Sequence, residues 1–437
     1  MMWLKKLNLS PSRINKGVRI VKRLPLTVVA LVAALTISAS SPALANSNFA
    51  DTPPPAAQPS EGESEPQISE ENATGDEVAW VNDFNIIATQ ISVAYEGEFA
   101  VAEVLPNLQS GWIGFKNAVP DDISDTIRNN PQIELRENLG YSEIDAQETI
   151  SEIVDVAVEN LGETTNVIAG QSGADPLIEV EVGFPDLDKS PRRDPSATDG
   201  DAAIEAIQEE VQELADRFNF DLDLKYTEGL TYGEEAHTAG GKIKNNGSSS
   251  VLCSTAFPVK QKNGSGIGVL TAGHCPGSGV TYNTTPNAFY SPVPYSQVTD
   301  NIRPVGGDFR WNHSKAMFNG KTFVGSGRPA RTFRTYADAS VNSPICNFGH
   351  TTGYKCTTVK YTNQFIHVYV PEINTTREVG PLRGNNTHFT QGGDSGGPWF
   401  YGTVAYGVHS GHKNDLRSVF SDVSNALLRL GVVLWAG

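Results

Sequence analysis

The chain has 437 residues, too many for one ordinary compact domain, so two folded units plus tails are expected. Its net charge of −17 is unevenly distributed: residues 1–45 carry 7 basic and no acidic groups, residues 46–235 carry 8 basic and 42 acidic, and residues 236–437 carry 18 basic and 8 acidic. Such asymmetry marks units with different jobs, and since no Lys/Arg cluster of the basic part forms a nucleic-acid stripe, nucleic acid is not expected as a partner.

Residues 1–45 read as an export signal. Lys5, Lys6, Arg13, Lys16, Arg19, Lys22 and Arg23 form a positive n-region, Leu24 to Ala39 an apolar h-region, and Ala43-Leu44-Ala45 an A-x-A-type cleavage site. The alternative, a membrane anchor, needs about 20 apolar residues, more than this run supplies. A secreted, extracellular product with no membrane contact after signal removal is therefore expected. Residues 46–75 hold Pro53-Pro54-Pro55 and an acidic run from Ser60 to Glu71, the composition of a disordered linker.

Residues 76–235 predict a small acidic α+β domain. Val78, Val81, Phe84, Ile87 and Ile91 recur at helical spacing, and Gly111 to Phe115 reads as a short strand. Ser142 to Asn160 predicts a helix, Leu177 to Val182 a strand and Lys189 to Gly200 a loop. Asp201 to Phe218 is the clearest helix, with Ile204, Ile207, Val211, Leu214 and Phe218 on one face. No constellation in this stretch looks catalytic. Its charge suits docking on the basic unit, although acidity could serve solubility alone.

From residue 236 the helical period vanishes. Short apolar runs between Gly, Asn, Ser and Pro predict strands at Val251 to Val259, Gly268 to Ala272, Phe309 to Trp311, Thr357 to Tyr361, Gln364 to Val370, Trp399 to Tyr401 and Val404 to Val408. One helix closes the chain, capped by Ser421 or Asp422, with Val423, Leu427, Leu428 and Leu430 as its apolar members. All four cysteines lie here. An even count in an exported chain reads as two disulfides, and the pairing Cys253–Cys275 with Cys346–Cys356 closes two short loops, each contributing roughly 3 kcal/mol. A zinc site lacks C-x-x-C or H-x-x-x-H spacing, so no metal and no cofactor are expected.

Two motifs carry the chemistry. Thr271-Ala272-Gly273-His274-Cys275 places a histidine after a small-residue turn, and Gly392-Gly393-Asp394-Ser395-Gly396-Gly397-Pro398 places a serine among glycines. A serine hydroxyl needs a base to take its proton, and His274 is that candidate. A carboxylate must hold the imidazole, and backbone N–H groups of Gly393 and Ser395 can receive an oxyanion. Asp308, after a glycine pair and opening an alternating segment, is the preferred acid. Asp300 is the runner-up and Asp338 the third.

These motifs, with Ala239-Gly240-Gly241, the four cysteines and Gly407-Val408-His409-Ser410-Gly411, resemble the secreted bacterial chymotrypsin-like serine peptidases, the streptogrisin and alpha-lytic protease group of family S1. The resemblance spans about 200 residues, 238–437. It implies an all-β two-barrel protease domain with a C-terminal helix over residues 236–437, preceded by an α+β pro-domain that acts in cis. It implies protein or peptide substrates and a monomer. Ser410-Gly411-His412 would pair with the substrate backbone, with His412 where the family usually has glycine. Asp394 would brace the oxyanion loop. Glutamate-specific members place a hydroxyl residue and a histidine where Thr390 and His409 stand, which implies cleavage after Glu; Phe389 in the pocket wall would instead suit apolar groups. Glu235 precedes the mature start in this reading, so self-cleavage there would release a domain beginning at Ala236. A catalytically silent binding protein and an esterase are the rivals. His274 and Ser395 are both intact, against the first. The histidine precedes the serine in a β-rich region, against the second.

Overall fold

The computed structural model describes residues 73–123, 125–128, 130–184, 200–227, 230, 232–234, 243–245, 251–264, 266–275, 280–282, 289–290, 306–314, 320–325, 328–370, 375–413 and 417–437. All of them belong to one unit, Gln58–Gly437. The expected signal, most of the linker, the bulk of the 189–200 loop, Asp300 and the junction from 235 to 241 lie outside the described residues.

Helix α1 (Gly75–Ala94) opens with a capping box in which Thr74 and Glu77 satisfy each other's backbone N–H. Val81, Phe84 and Ile91 are buried as their spacing predicts, but so are Asn82, Asn85 and Thr89. This polar set is buried because it meets the C-terminal part of the chain. Asn85 Nδ2 donates to the Tyr406 hydroxyl at 3.0 Å, which donates to Asn82 Oδ1 at 2.8 Å, and Ser340 N donates to Asn85 Oδ1 at 3.0 Å. Buried amides so matched cost little, whereas a mismatch would cost roughly 1–3 kcal/mol each.

Strands β1 (Phe99–Val104) and β2 (Gly111–Phe115), the short helix α2 (Asp125–Arg128) and strand β3 (Ile133–Arg136) follow, the strands forming a sheet in the order β1-β2-β3. Helix α3 (Glu143–Leu161) begins with a Ser142/Asp145 capping box. After it come β4 (Asn166–Ser172), β5 (Leu177–Gly183), helix α4 (Gly200–Asp216) and β6 (Asp221–Tyr226). α4 is the crossover that lets β5 and β6 run parallel. Ile150, Ile153, Val154 and Ala157 of α3 join Ile207, Val211 and Ala215 of α4 over Val167, Ala169, Val180 and Val182 of the sheet.

The C-terminal part is almost entirely β. Its first strands are β7 (Tyr232–Glu234), β8 (Ile243–Asn245), β9 (Val251–Cys253), β10 (Pro258–Gln261), β11 (Ile267–Thr271), β12 (Val280–Tyr282), β13 (Phe289–Tyr290) and β14 (Arg310–Ser314). Then come β15 (Thr335–Tyr336), β16 (Pro344–Gly349), β17 (Gly353–Thr358), β18 (Tyr361–Val370), β19 (Thr375–Gly384), β20 (Pro398–Tyr401), β21 (Val404–Lys413) and β22 (Arg417–Asp422). Helix α5 (Val423–Leu430) and β23 (Val432–Leu434) end the chain. One sheet runs β13-β14-β11-β10-β23 and a second β12-β8-β9.

The largest sheet crosses between the two parts of the chain. Its order is β17-β16-β20-β21-β22-β19-β18-β4-β5-β6, so the hairpin β18–β19 is extended by β4. Tyr361 pairs with Ser172 and His367 with Val167 in an antiparallel register.

Three local expectations change. The single strand expected over Val251 to Val259 is two, because Ser254 leaves the ladder: its N–H donates to Ser395 O at 2.7 Å and its Oγ to Gly393 O at 2.7 Å. The strand expected at Thr357 to Tyr361 is the end of β17 and the start of β18, broken at Val359 and Lys360, where Val359 N bonds Ser343 O and Lys360 N bonds Gly384 O. Leu428 is 70 % exposed rather than on the buried face of α5, and Asp422 at the N-cap makes no cap bond because its carboxylate takes Arg383 Nε at 2.7 Å.

Candidate active site

His274 and Ser395 follow and precede strands of different sheets, and the Ser395 carbonyl lies 3.8 Å from the Sγ of Cys275, the residue after His274. His274 follows the end of β11. Cys275 is bonded to Cys253, which ties that turn to β9, and the second bond joins Cys346 to Cys356 directly across β16 and β17. Asp308 precedes β14, which pairs with β11 in a register that sets Arg310 beside Thr271. The two ladders therefore carry Asp308 to His274: His274 Nδ1 lies 2.6 Å from Asp308 Oδ2, and His274 N donates to Asp308 Oδ1 at 2.9 Å.

Asp308 is 1 % exposed. Burial by itself would raise its pKa, but the charge and hydrogen bonds of His274, with the Ser410 hydroxyl, outweigh burial and hold the carboxyl below its ordinary range. Ser410 Oγ donates to Asp308 Oδ2 at 2.7 Å, and Asp308 N donates to Ser421 Oγ at 2.8 Å. Ser421 escaped the sequence reading in this role, since nothing local links a residue on β22 to Asp308. Asp338 lies elsewhere, with its carboxylate on Ser424 and its N–H on Thr89 Oγ1 at 2.8 Å.

Ser395 Oγ donates to Ser410 O at 3.4 Å, so the same residue on β21 contacts both Asp308 and Ser395. Within the serine loop, Asp394 N donates to Gln391 O, Gly396 N to His409 O and Gly397 N to Asp394 O. Gly396 has φ 85°, and a Cβ there would collide with Thr271 Oγ1 and the Ser254 carbonyl. That close approach is what lets the serine loop sit against the histidine turn. Gly393 has φ 121°, and its carbonyl is held by Ser254 Oγ. Ser254 is a second residue that sequence reasoning passed over.

Asp394 is buried and accepts from Thr351 N at 2.9 Å, Thr352 Oγ1 at 2.6 Å and Gln391 N at 3.0 Å. It sits against Gly349, where any side chain would strike its carboxylate. The brace expected of Asp394 thus draws on neutral N–H and O–H donors.

The remaining candidates lie on β21 and in the chain just before Ser395. Thr390 Oγ1 and Ser418 Oγ lie 2.8 Å apart, both buried. His409, on β21, is buried, and its Nδ1 accepts from Trp399 Nε1 at 3.3 Å, which keeps the ring proton on Nε2. Trp399 stacks on Phe420, with centroids 4.8 Å apart, and Phe389 tilts against it at 5.7 Å. The His412 ring packs on His388, centroids 4.4 Å apart at 33°. His388 lies two residues before Thr390 and was not singled out from sequence. Gly411, His412 and Lys413 on β21 pair with Glu234, Gly233 and Tyr232 of β7.

Residues 233–427 match the family described as Trypsin. Streptogrisin-C of Streptomyces griseus is 29% identical over 189 residues, covering 42% of this chain and 38% of that protein. Glutamyl endopeptidase 2 of the same organism is 28% identical over 216 residues, covering 45% of this chain and 98% of that protein. The crystal structure of Thermobifida fusca Protease A aligns at 26% identity and a TM-score of 0.36, over 46% of this chain and 98% of that one. The chain thus spans well under half the length of streptogrisin-C and nearly all of the glutamyl endopeptidase. Residues 233–427, with the β-rich fold and terminal helix around them, are thus similar to a trypsin-like domain.

Proposed function

We propose that the chain is a secreted serine endopeptidase made as a proenzyme, cutting peptide bonds after glutamate. The observation that carries this reading is the Asp308–His274 pair, buried and joined through Ser410 to Ser395. Ser395 Oγ attacks the scissile carbonyl while His274 takes its proton. Asp308, kept ionised, holds the imidazole tautomer and offsets the imidazolium charge. The N–H groups of Gly393 and Ser395 receive the oxyanion. His274 then protonates the leaving amine, and water releases the acyl group by the same path.

The preference for glutamate draws on two supports. Thr390, Ser418 and the Nε2 donor of His409 offer neutral hydrogen bonds to a side-chain carboxylate. The relative matched over nearly its whole length is named Glutamyl endopeptidase 2. The stacked Trp399, Phe420 and Phe389 favour a second reading, an apolar preference.

The N-terminal α+β part is the pro-region in this reading. Among its contacts, β4 extends the β18–β19 hairpin, and β7, the strand just ahead of the proposed cut, lies antiparallel on the strand that would take substrate. The residue after Glu234 is Glu235, after which the proposed cut falls. A fluorogenic peptide panel varied at the residue before the bond tests the preference; efficient cleavage after Phe or Leu with none after Glu rejects it. Ser395→Ala is expected to abolish activity and leave the precursor uncut at 235–236. Normal maturation of purified Ser395→Ala protein would assign the cut to another enzyme.

A further inference from the structure

The sheet-edge residues beyond the pocket carry charges that the catalytic reading does not use. Lys413, the last residue of β21, is directly opposite Arg417, the first of β22. Like charges placed opposite each other across a ladder destabilise it unless an anion lies between them. Here anions do. Lys413 Nζ donates to Glu181 Oε1, and Arg417 Nη2 lies 3.5 Å from Glu179 Oε2 and 3.9 Å from Glu181 Oε1. Lys413 is 1 % exposed and Arg417 8 %.

The two carboxylates come from β5, in the part of the chain that the proenzyme reading removes. So does Lys225, whose Nζ is 3.6 Å from Glu181, and Thr227, whose Oγ1 donates to Glu181 at 3.2 Å. What stays behind is the pair Lys413 and Arg417. Arg417 keeps its platform, since its guanidinium lies 3.6 Å from the ring centre of Tyr361 on β18. Burial and the nearby Arg417 push the Lys413 amine down to about 8, against the pull of Glu181, consistent with a cation pair that needs a carboxylate. Lys413 is the ladder partner of Tyr232, two residues before Glu234, so the pair stands beside the path of a bound strand.

We infer that Lys413 and Arg417 form a carboxylate-binding subsite that selects acidic side chains upstream of the cut bond, occupied in this structure by Glu181 and Glu179. This rests on the endopeptidase reading above. With the cut after Glu235, Tyr232 is the fourth residue before the bond, and the subsite serves that position and those preceding it.

The test uses enzyme matured from the full-length chain, with its concentration set by titration with a covalent serine reagent. Two fluorogenic peptides identical around the bond carry either Glu-Glu or Gln-Gln at the fourth and fifth positions upstream. The Glu-Glu peptide is expected to show about 5–10-fold higher kcat/KM at low salt, an advantage that shrinks as salt is added. Lys413→Gln and Arg417→Gln should each lose most of that advantage while cleaving the Gln-Gln peptide at the wild-type rate. Equal kcat/KM for the two peptides with the wild-type enzyme overturns the inference, whether or not the variants fold. So does an advantage retained in both variants. Failure to cleave either peptide overturns the endopeptidase reading, and the subsite with it.

Discussion

Asp308 makes four contacts, and they have three origins. The two to His274 come from the β11–β14 ladder, one from Ser410 on β21, and one from Ser421 on β22. Neutralising the carboxylate while keeping its shape isolates the electrostatic part. Asp308→Asn is expected to lower kcat by about 10³–10⁴-fold with little change in KM, because the amide favours the wrong imidazole tautomer. Steady-state kinetics on a single peptide read this directly; a fall below tenfold would remove Asp308 from the mechanism. The pairing of His274 with Asp308 was legible in the sequence because each lies in a short motif at the end of a strand, as the Ser395 loop does. Ser254, Ser421 and His388 were not, because their roles depend on residues far away in the chain. Thr390 and His409 were legible as a hydroxyl and a ring, but the tautomer of His409 is set by Trp399, which only the sheet brings near.

At the scale of elements, the seam between β4 and β18 is the main structural addition to what the sequence showed. Helices α3 and α4 could be read from their apolar period, and the strand at Leu177 from its alternation. That β4 would pair with a hairpin nearly 200 residues later could not, since a ladder is made by backbone groups that every residue carries. The same holds for α1, whose Asn82, Asn85 and Thr89 read as solvent-facing until Tyr406 and the chain around Ser340 are placed against them. Gly170 on β4 tests the seam. A Cβ there would lie 2.7 Å from Gln364 Cγ and 3.2 Å from its Cα. Gly170→Leu is expected to reduce the yield of active enzyme from the full-length chain by severalfold. The kcat per titrated active site should stay unchanged, because the residue touches nothing in the mature site. An unchanged yield would show that β4 pairing is dispensable for folding and docking.

For the whole molecule, pH acts on the contact between its two parts. Glu143 at the start of α3 lies 3.6 Å from Arg383, which also serves Asp422, with Asp338 nearby. Burial raises the Glu143 carboxyl to about 7; Arg383 opposes this and Asp338 adds to it. A carboxyl raised in the folded state binds its proton more tightly there than when unfolded. Its contribution to stability is therefore complete below about 4.5 and is lost as pH rises toward 7. Glu181 acts oppositely: burial opposes, but Lys413, Lys225 and Arg417 hold its carboxyl below the ordinary value, so its contribution is lost in acid. In an uncleaved Ser395→Ala background, Glu143→Gln is expected to flatten the fall in urea midpoint between pH 5 and 7. Parallel profiles with and without Glu143→Gln would exclude it as the titrating group. The shared sheet has one further consequence. Were the N-terminal part removed as proposed, Tyr361–Val370 would become a bare rim with backbone donors and acceptors open along much of its length. Such a rim invites any extended chain to zip onto it, so the matured chain of the proposed reading would carry a hazard of self-association. The register breaks on both sides of β18, between Thr362 and Phe365 toward β4 and between Gln364 and Ile366 toward β19, are the kind of irregularity that keeps a second copy from lying flat along it.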